Sequence, residues 1–319
     1  MGNQLKKFGK APLGDKIFII LIYILLAAIM LVVFLPLVYI VSASFSDPQA
    51  VISNEVWFLP VRPTLRGYQA VFKNRNILTG FANSFYYMIV GTLVNIVMTV
   101  MCAYPLSRKE FTARNKVAMI FVFTMYFSGG MVPTYLLVKD LGMYNTIWAI
   151  LTYMLVNSLG LVNTRWSMII PSAMSTYNMI ICRTYFVNSI PDELYEAGQL
   201  DGCTPFKYLL RVVVPLSKPI LAVLVLYYGV TKWNSYFDAM IYLKSQTMVP
   251  LQIVLRDILI LNQVDYTMIS DASAIAAQRG LTDLLKYSTI VVASLPVLCI
   301  YPFVQKYFVK GVMIGAVKG

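Results

Sequence analysis

The sequence predicts an all-α integral membrane protein with six transmembrane helices. Hydrophobic residues make up 59% of its 319 residues and charged residues only 13%, and the mean hydropathy is +0.70. A water-exposed protein needs a more polar surface than this composition supplies. Six stretches reach the roughly 20 apolar residues that one bilayer crossing requires. They are residues 17–44, 82–107, 117–138, 164–187, 217–243 and 284–309.

Basic residues predict the orientation of these spans. Lysines precede the first span, and a second basic group follows span two, so both regions should be cytoplasmic by the positive-inside rule; the residues are Lys6, Lys7, Lys10, Lys16, Arg108, Lys109, Arg114 and Lys116. Both termini are then cytoplasmic. The predicted organisation is a cytoplasmic segment 1–16, a transmembrane domain 17–309 and a cytoplasmic tail 310–319. The first apolar stretch is long enough to be retained as a span rather than cleaved as a signal peptide.

Composition also argues against several function classes. The formal net charge is +12, but the basic residues fall in predicted cytoplasmic loops and tails, so a nucleic-acid partner is not indicated. The chain has no histidine, and its four cysteines show no paired spacing. Zinc binding and histidine-based catalysis therefore lack their usual groups. We predict no catalytic residue and no metal ligand.

A polar segment at residues 188–216 separates spans four and five. Ser189, with Asp192 three residues later and Pro191 between them, predicts the start of a short helix. Asp201-Gly202 then favours a tight turn. Between these signals lie Glu196, Ala197 and Gly198, one acid beside two very small residues. Small side chains allow the surface of another protein to approach closely.

This segment resembles the EAA loop of ATP-binding cassette (ABC) importer permeases, which runs Glu-Ala-Ala, three residues, Gly, nine residues, then Ile-x-Leu-Pro. The matching positions are Glu196, Ala197, Gly198, Gly202, Val212, Val214 and Pro215. Gly198 replaces the second alanine of the pattern, and valines replace its isoleucine and leucine. The resemblance implies that ATPase subunits contact this loop, with coupling residues Glu196, Ala197, Gly198, Asp201, Gly202 and Pro215. An ordinary amphipathic hairpin is the alternative.

Two further segments resemble carbohydrate-importer permeases of this type. Residues 129–135 match the run Gly-Gly-x-x-Pro-Thr-Tyr, and the tail from Lys310 to Gly319 is similar to that of the maltose-type permease partner. Between them, residues 137–148 are echoed by residues 155–166, which indicates a local duplication. The duplicated segment either contributes to substrate or partner contacts or is neutral decoration.

Span five is unusually polar and aromatic for a lipid-embedded helix. Ionisable groups inside membranes usually face a bundle interior or a water-filled path, and aromatic faces with amides and acids beside them suit sugar rings. The substrate-path candidates are Tyr227, Tyr228, Trp233, Asn234, Asp238 and, in span four, Asn178. In the competing interpretation Trp233 and Tyr236 belong to an interfacial belt and Lys232 snorkels to the membrane surface.

The resemblance implies a type I ABC importer permease for oligosaccharides or other sugars, in the bacterial cytoplasmic membrane. Its implied partners are a second permease in a heterodimer, two ATPase subunits that use ATP and magnesium, and an extracytoplasmic sugar-binding lipoprotein. The chain has no phosphate-binding loop of its own and should bind no cofactor. Alternatives are a stand-alone secondary transporter, a permease for a non-sugar solute and, without any motif in its favour, a membrane enzyme.

Overall fold

The computed structural model describes residues 12–127, 164–170, 172–261, 280 and 282–302, and this part of the chain is helical with no β-strand. Two compact units divide the chain. One contains residues 1–74 and 258–293, and the other contains residues 75–257 and 294–319. Both terminal segments lie outside the described residues, so the predicted orientation stays a prediction.

The first unit begins with α1, Leu13–Ser44, a helix of 32 residues. Short helices α2, Pro48–Ile52, and α3, Arg66–Lys73, follow it. α2 begins at a cap of the usual kind, because the Asp47 side chain accepts a hydrogen bond from the Gln49 amide and Pro48 occupies the first turn. Ser44 near the end of α1 shares a 2.8 Å hydrogen bond with Tyr68 of α3, which holds the polar connection against the helix end.

The second unit is built around α4, Arg75–Ser107, which contains 33 residues. The other described helices that lie wholly in this unit are α5, Arg114–Tyr126; α6, Thr176–Ser189; α7, Asp192–Leu200; α8, Pro205–Leu216; α9, Lys218–Trp233; α10, Tyr236–Tyr242; and α11, Leu251–Arg256. A last long helix, α12, Thr282–Pro302, carries residues of both units. A core of side chains from α4, α6, α8 and α9 joins these helices, and includes Val100, Met179, Phe186, Leu209 and Leu224.

The chain turns sharply where the predicted polar loop meets span five. α8 contains a π-helical turn at Leu209–Val213, and the axis changes direction by 83° between Pro205–Leu216 and Lys218–Met240. Pro219, in the first turn of α9, cannot donate a backbone hydrogen bond into a preceding turn, so a continuous helix is broken there. The loop therefore leaves the span at nearly a right angle.

Three described helices are long and apolar enough to cross a bilayer, namely α1, α4 and α12, or four if the bent pair counts as one span. They correspond to predicted spans one, two, six and five. Predicted span three, residues 117–138, is described only as far as α5 and Phe127, and most of the duplicated segment lies outside the described residues, as do residues 129–135 and the tail.

The boundaries of span four were predicted wrongly. Residues 164–187 are not one helix: a 3₁₀ turn occupies Arg165–Met168, and α6 begins only at Thr176. Pro171 disfavours helical backbone in the residue before it, and Ser172 and Ser175 offer side chains that compete for backbone groups. Span five is also interrupted, at Asn234 and Ser235 between α9 and α10.

Candidate functional site

The predicted short helix in the polar loop is α7, and it lies on the surface. None of its nine residues is buried, and Glu196 and Ala197 are exposed. Its start differs from the prediction, because Ser189 ends α6 and Pro191 is the residue that precedes α7. The Ser189 hydroxyl therefore does not cap this helix. The carboxylate of Asp192, the first helical residue, instead forms ion pairs with basic side chains.

The predicted turn at Asp201-Gly202 is confirmed. Gly202 has φ +71°, a left-handed conformation that glycine adopts without strain. The amides of Gly202 and Cys203 donate to the carbonyls of Gln199 and Gly198 at 3.0 and 2.9 Å, which closes the end of α7. A Cβ at Gly202 would meet no atom within 4 Å, so the requirement for glycine is conformational. Pro215 lies exposed on α8.

Two basic residues at the end of α4 hold the start of α7. Lys109 Nζ lies 2.6 Å from Asp192 Oδ2, and Arg108 Nη1 lies 4.0 Å from Asp192 Oδ1. The hydrogen bond from Lys109 lowers the pKa of Asp192 and raises that of Lys109. Sequence reasoning used both basic residues only as topology signals and missed this contact, because 83 residues separate Lys109 from Asp192.

A cavity of about 580 Å³ opens among α4, α6, α9 and α10. Its walls combine aromatic faces with amides, hydroxyls and two opposite charges. The lining residues are Asn95, Ser172, Met174, Ser175, Tyr177, Asn178, Leu226, Tyr227, Tyr228, Val230, Thr231, Lys232, Ser235 and Asp238. The rings of Tyr177 and Tyr227 lie 6.4 Å apart. Such a wall offers stacking faces and hydrogen-bonding groups to a small polar solute.

Lys232 enters the cavity wall from α9 and is 2% exposed. Its Nζ donates to the Met168 carbonyl at 2.9 Å and to Ser172 Oγ at 2.6 Å. The ammonium therefore holds the non-helical segment before α6, and the snorkelling interpretation is wrong. A Cβ at Gly91 of α4 would lie only 3.1 Å from the Lys232 stem, so glycine there leaves the room through which the side chain passes.

Four of the predicted substrate-path residues line this cavity: Asn178, Tyr227, Tyr228 and Asp238. The Tyr228 hydroxyl also contacts Thr99 Oγ1 at 2.6 Å and accepts from the Ser175 amide at 3.1 Å. The other two predicted residues lie elsewhere. Trp233 is buried against Phe81 and Phe85, and Asn234 ends α9, where its Nδ2 donates to the Val230 carbonyl at 3.0 Å.

Asn95 was missed by sequence reasoning. It is buried in α4 and lines the cavity. Its Nδ2 donates to the Ser172 carbonyl at 3.0 Å, while its Oδ1 has no hydrogen-bond donor within the part of the chain that the structure describes. An amide within an apolar stretch of α4 was the available signal, since polar groups in membrane spans usually mark a path or a packing contact. Among the described residues no group of three or more potential metal ligands occurs.

The chain belongs to the family of binding-protein-dependent transport system inner membrane components, whose model matches residues 95–314. The predicted resemblance to ABC importer permeases of the carbohydrate-uptake type is thereby confirmed. Together with its long apolar helices, this membership makes the chain a multi-pass protein of the bacterial plasma membrane.

Similar proteins are known over almost the full length. The chain is 35% identical over 308 residues to the polygalacturonan/rhamnogalacturonan transport system permease protein YtcP of Bacillus subtilis (strain 168), covering 96% of this chain and 99% of the relative. Protein LplC of the same organism is 36% identical over 286 residues, 89% of each chain. A crystal structure of a bacterial ABC transporter involved in import of the acidic polysaccharide alginate contains a chain with 30% identity and a TM-score of 0.78, covering 93% of this chain and 99% of that one.

Proposed function

We propose that this chain is a transmembrane permease subunit of an ATP-driven importer for oligosaccharides or polysaccharides and forms half of the translocation path. The family membership supports the transport role. The saccharide class is supported by the names of the relatives, YtcP with polygalacturonan and rhamnogalacturonan and the solved transporter with alginate. The mixed aromatic and polar cavity agrees with this class, because sugar C–H faces stack on rings while hydroxyls bond to amides and acids.

The observation that carries the coupling role is the position of α7. It presents nine residues without burying one, and Leu200 at its end is 90% exposed. The exposed Leu200 side chain lies one helical turn from Glu196, and together they could bind in a groove of another protein. We assign that groove to an ATPase subunit, with Glu196 as the polar anchor, Ala197 and Gly198 giving close approach, and Asp201 and Gly202 ending the helix.

The proposed assembly contains a second permease, two ATPase subunits and an extracytoplasmic sugar-binding lipoprotein. ATP and magnesium act in the ATPase subunits, and this chain supplies the surface that they move. Closure of the ATPase pair displaces α7 and α8, and Pro215 lies next to the 83° bend that leads into α9. Because α9 carries Tyr227 and Tyr228, a displacement of the loop reaches the cavity wall and switches its access.

The coupling assignment is tested by Glu196→Lys in cells that depend on this importer. We expect uptake to fall at least about tenfold, because charge reversal opposes the ATPase contact, while the amount of protein in the membrane is unchanged. Glu193→Lys is the matched control, since it makes the same change on an exposed residue of α7 outside the proposed anchor. Normal uptake by Glu196→Lys would contradict the assignment.

The cavity assignment is tested by Asn178→Ala and Asp238→Asn. Asn178→Ala removes a hydrogen-bonding amide from the wall, and Asp238→Asn replaces a charged acceptor by a neutral amide. Each should raise the KM for uptake several-fold, as expected when one bond worth about 1 kcal/mol is lost or weakened. Asn234→Ala is the control, because this amide directly after α9 does not line the cavity. An equal effect of all three substitutions would place the substrate path elsewhere. Purification of the chain from its native membrane, with identification of its companions, tests the assembly itself.

A further inference from the structure

Arg108 lies among three tyrosine rings at the junction of α4 and α7. It follows the last residue of α4 and is only 7% exposed. Its guanidinium carbon is 5.0 Å from the ring centre of Tyr104, 5.1 Å from that of Tyr195 and 5.3 Å from that of Tyr208. These distances fall within the range of cation–π attraction, which is stronger where the cation is removed from water. We call Arg108 with these three rings the tyrosine cage.

The cage connects three separate segments of the chain. Tyr104 belongs to α4, Tyr195 to α7 and Tyr208 to α8, and the rings of Tyr195 and Tyr208 meet edge to face at 5.1 Å. The Asp192 carboxylate adds a charge 4.0 Å from Arg108. A planar guanidinium can face several rings and an acid at once, which a lysine ammonium does less well. One buried side chain, that of Arg108, therefore joins α7 and α8 to the end of α4.

Gly198 gives independent support for the tightness of this cage. A Cβ at Gly198 would lie 2.9 Å from a ring carbon of Tyr208. Alanine occupies the corresponding position in the EAA pattern and is the better helix former by about 1 kcal/mol. The Tyr208 ring, held against Arg108, occupies the space that this alanine would need. The departure from the pattern is thus explained by the cage.

We propose that Arg108 is a positioning residue that fixes α7 to α4, so that a displacement of the loop reaches Asn95 in the cavity wall through one helix. α4 contains Asn95 and ends immediately before Arg108. This route is separate from the one through the bend into α9. The inference rests on the proposed function, because it assumes that an ATPase subunit moves α7.

The test uses the complex as purified from the native membrane, in nanodiscs, and measures amide hydrogen exchange with and without ATP and vanadate. For Arg108→Met we expect exchange in residues 192–200 to accelerate about tenfold, since a desolvated cation–π cluster is lost, and the vanadate-induced change in residues 95–107 to disappear. In Arg108→Lys, the exchange rate of residues 192–200 should lie between that of Arg108→Met and that of the wild type. Residues 218–233 should exchange as in wild type.

Lys109→Met is the matched control. It removes the neighbouring cation that touches the same Asp192, but Lys109 is 74% exposed, so exchange in residues 192–200 should stay within about twofold of wild type. Gly198→Ala tests the cage through Tyr208, because the added methyl group would displace that ring. It should accelerate exchange in α7 although alanine favours helix formation, and slower exchange would overturn the proposal.

Two other outcomes would also overturn it: α7 in Arg108→Met exchanging as in wild type, or residues 95–107 keeping their response to vanadate in that variant. A failure of the proposed function looks different. In that case no ATPase accompanies the wild-type chain and vanadate changes nothing in it, while the exchange of α7 in Arg108→Met still reports whether the cage holds the helix.

Discussion

α1 and α4 are nearly equal in length, with 32 and 33 residues, but they are built for different surroundings. An apolar window of α1 has a mean hydropathy of 3.4, and the described residues bury none of it, whereas that of α4 has 1.8 and is 44% buried. In lipid there is no hydrophobic driving force that would bury a helix that is apolar on every side, whereas polar groups must find partners inside the protein. The lower hydropathy of α4 therefore reflects the polar groups with which it contacts the other helices of its unit.

The polar side chains of α4 bind the places where other segments are not helical. Asn83, Ser84 and Tyr87 bond to backbone groups of residues 247–251. Farther along, Asn95 bonds to the Ser172 carbonyl, and Thr99 bonds to the Tyr228 hydroxyl, which in turn accepts from the Ser175 amide. Backbone that leaves a helix within a membrane must be satisfied by protein. α4 supplies those partners at successive levels along its length. In α1, Ser42 in the last turn has a similar role, because its hydroxyl donates to the Phe58 carbonyl.

The largest expected effect comes from Asn83→Ala. The Asn83 amide donates to the Thr247 and Val249 carbonyls at 2.9 and 3.0 Å and is buried. Loss of both bonds should destabilise the protein by about 3 kcal/mol, seen as a fall of several degrees in the apparent melting temperature in detergent. Leu25→Ala in α1 is the control and should stay within about 0.5 kcal/mol. Equal losses of stability in the two variants would contradict the conclusion that α4, unlike α1, is held by buried polar contacts.

Thr99→Val should have a smaller effect. Because the Ser175 amide donates to the Tyr228 hydroxyl, the hydroxyl has its own hydrogen available for Thr99, and removing Thr99 Oγ1 leaves it without that acceptor. The cost should be about 1 kcal/mol, measured by the same melting experiment. Thr124→Val in α5 is the matched control, since among the described residues that hydroxyl bonds to the Phe121 carbonyl on an exposed surface. A larger loss for Thr124 would contradict the interpretation.

The smallest effect is expected at the exposed ion pair beyond the end of α4. The pKa of Asp192 is lowered in the folded protein, so the stabilisation it provides is present above its unfolded pKa of 3.8 and is lost as pH falls through the lower folded value. Asp192→Asn should thus melt slightly below wild type at pH 7 and converge with it in acid. In a Lys109→Met background the difference should shrink, and an unchanged difference would show that Lys109 is not the partner.

The sequence predicts part of this arrangement for physical reasons that can be named. Apolar length identifies α1 and α4, and Asp201-Gly202 identifies the turn because φ +71° restricts the choice of residue. The break before α6 escapes a hydropathy window, since residues 164–170 remain apolar enough to suggest continuous helix. The contact of Lys232 with Ser172 and that of Arg108 with Tyr208 in the tyrosine cage escape because they join residues 60 and 100 positions apart. Such pairings exist only after the helices pack.

Gly91 and Lys232 constrain each other in a way that should be visible across evolution. The missing methyl group on α4 is what lets a cation run from α9 to the carbonyl of Met168. A chain that gains a side chain at position 91 has to shift the lysine stem at position 232 by a few tenths of an ångström or replace the lysine, and a chain that loses the lysine is free to fill the gap. The two positions should covary, so an alignment of relatives should show glycine at position 91 wherever lysine is present at position 232.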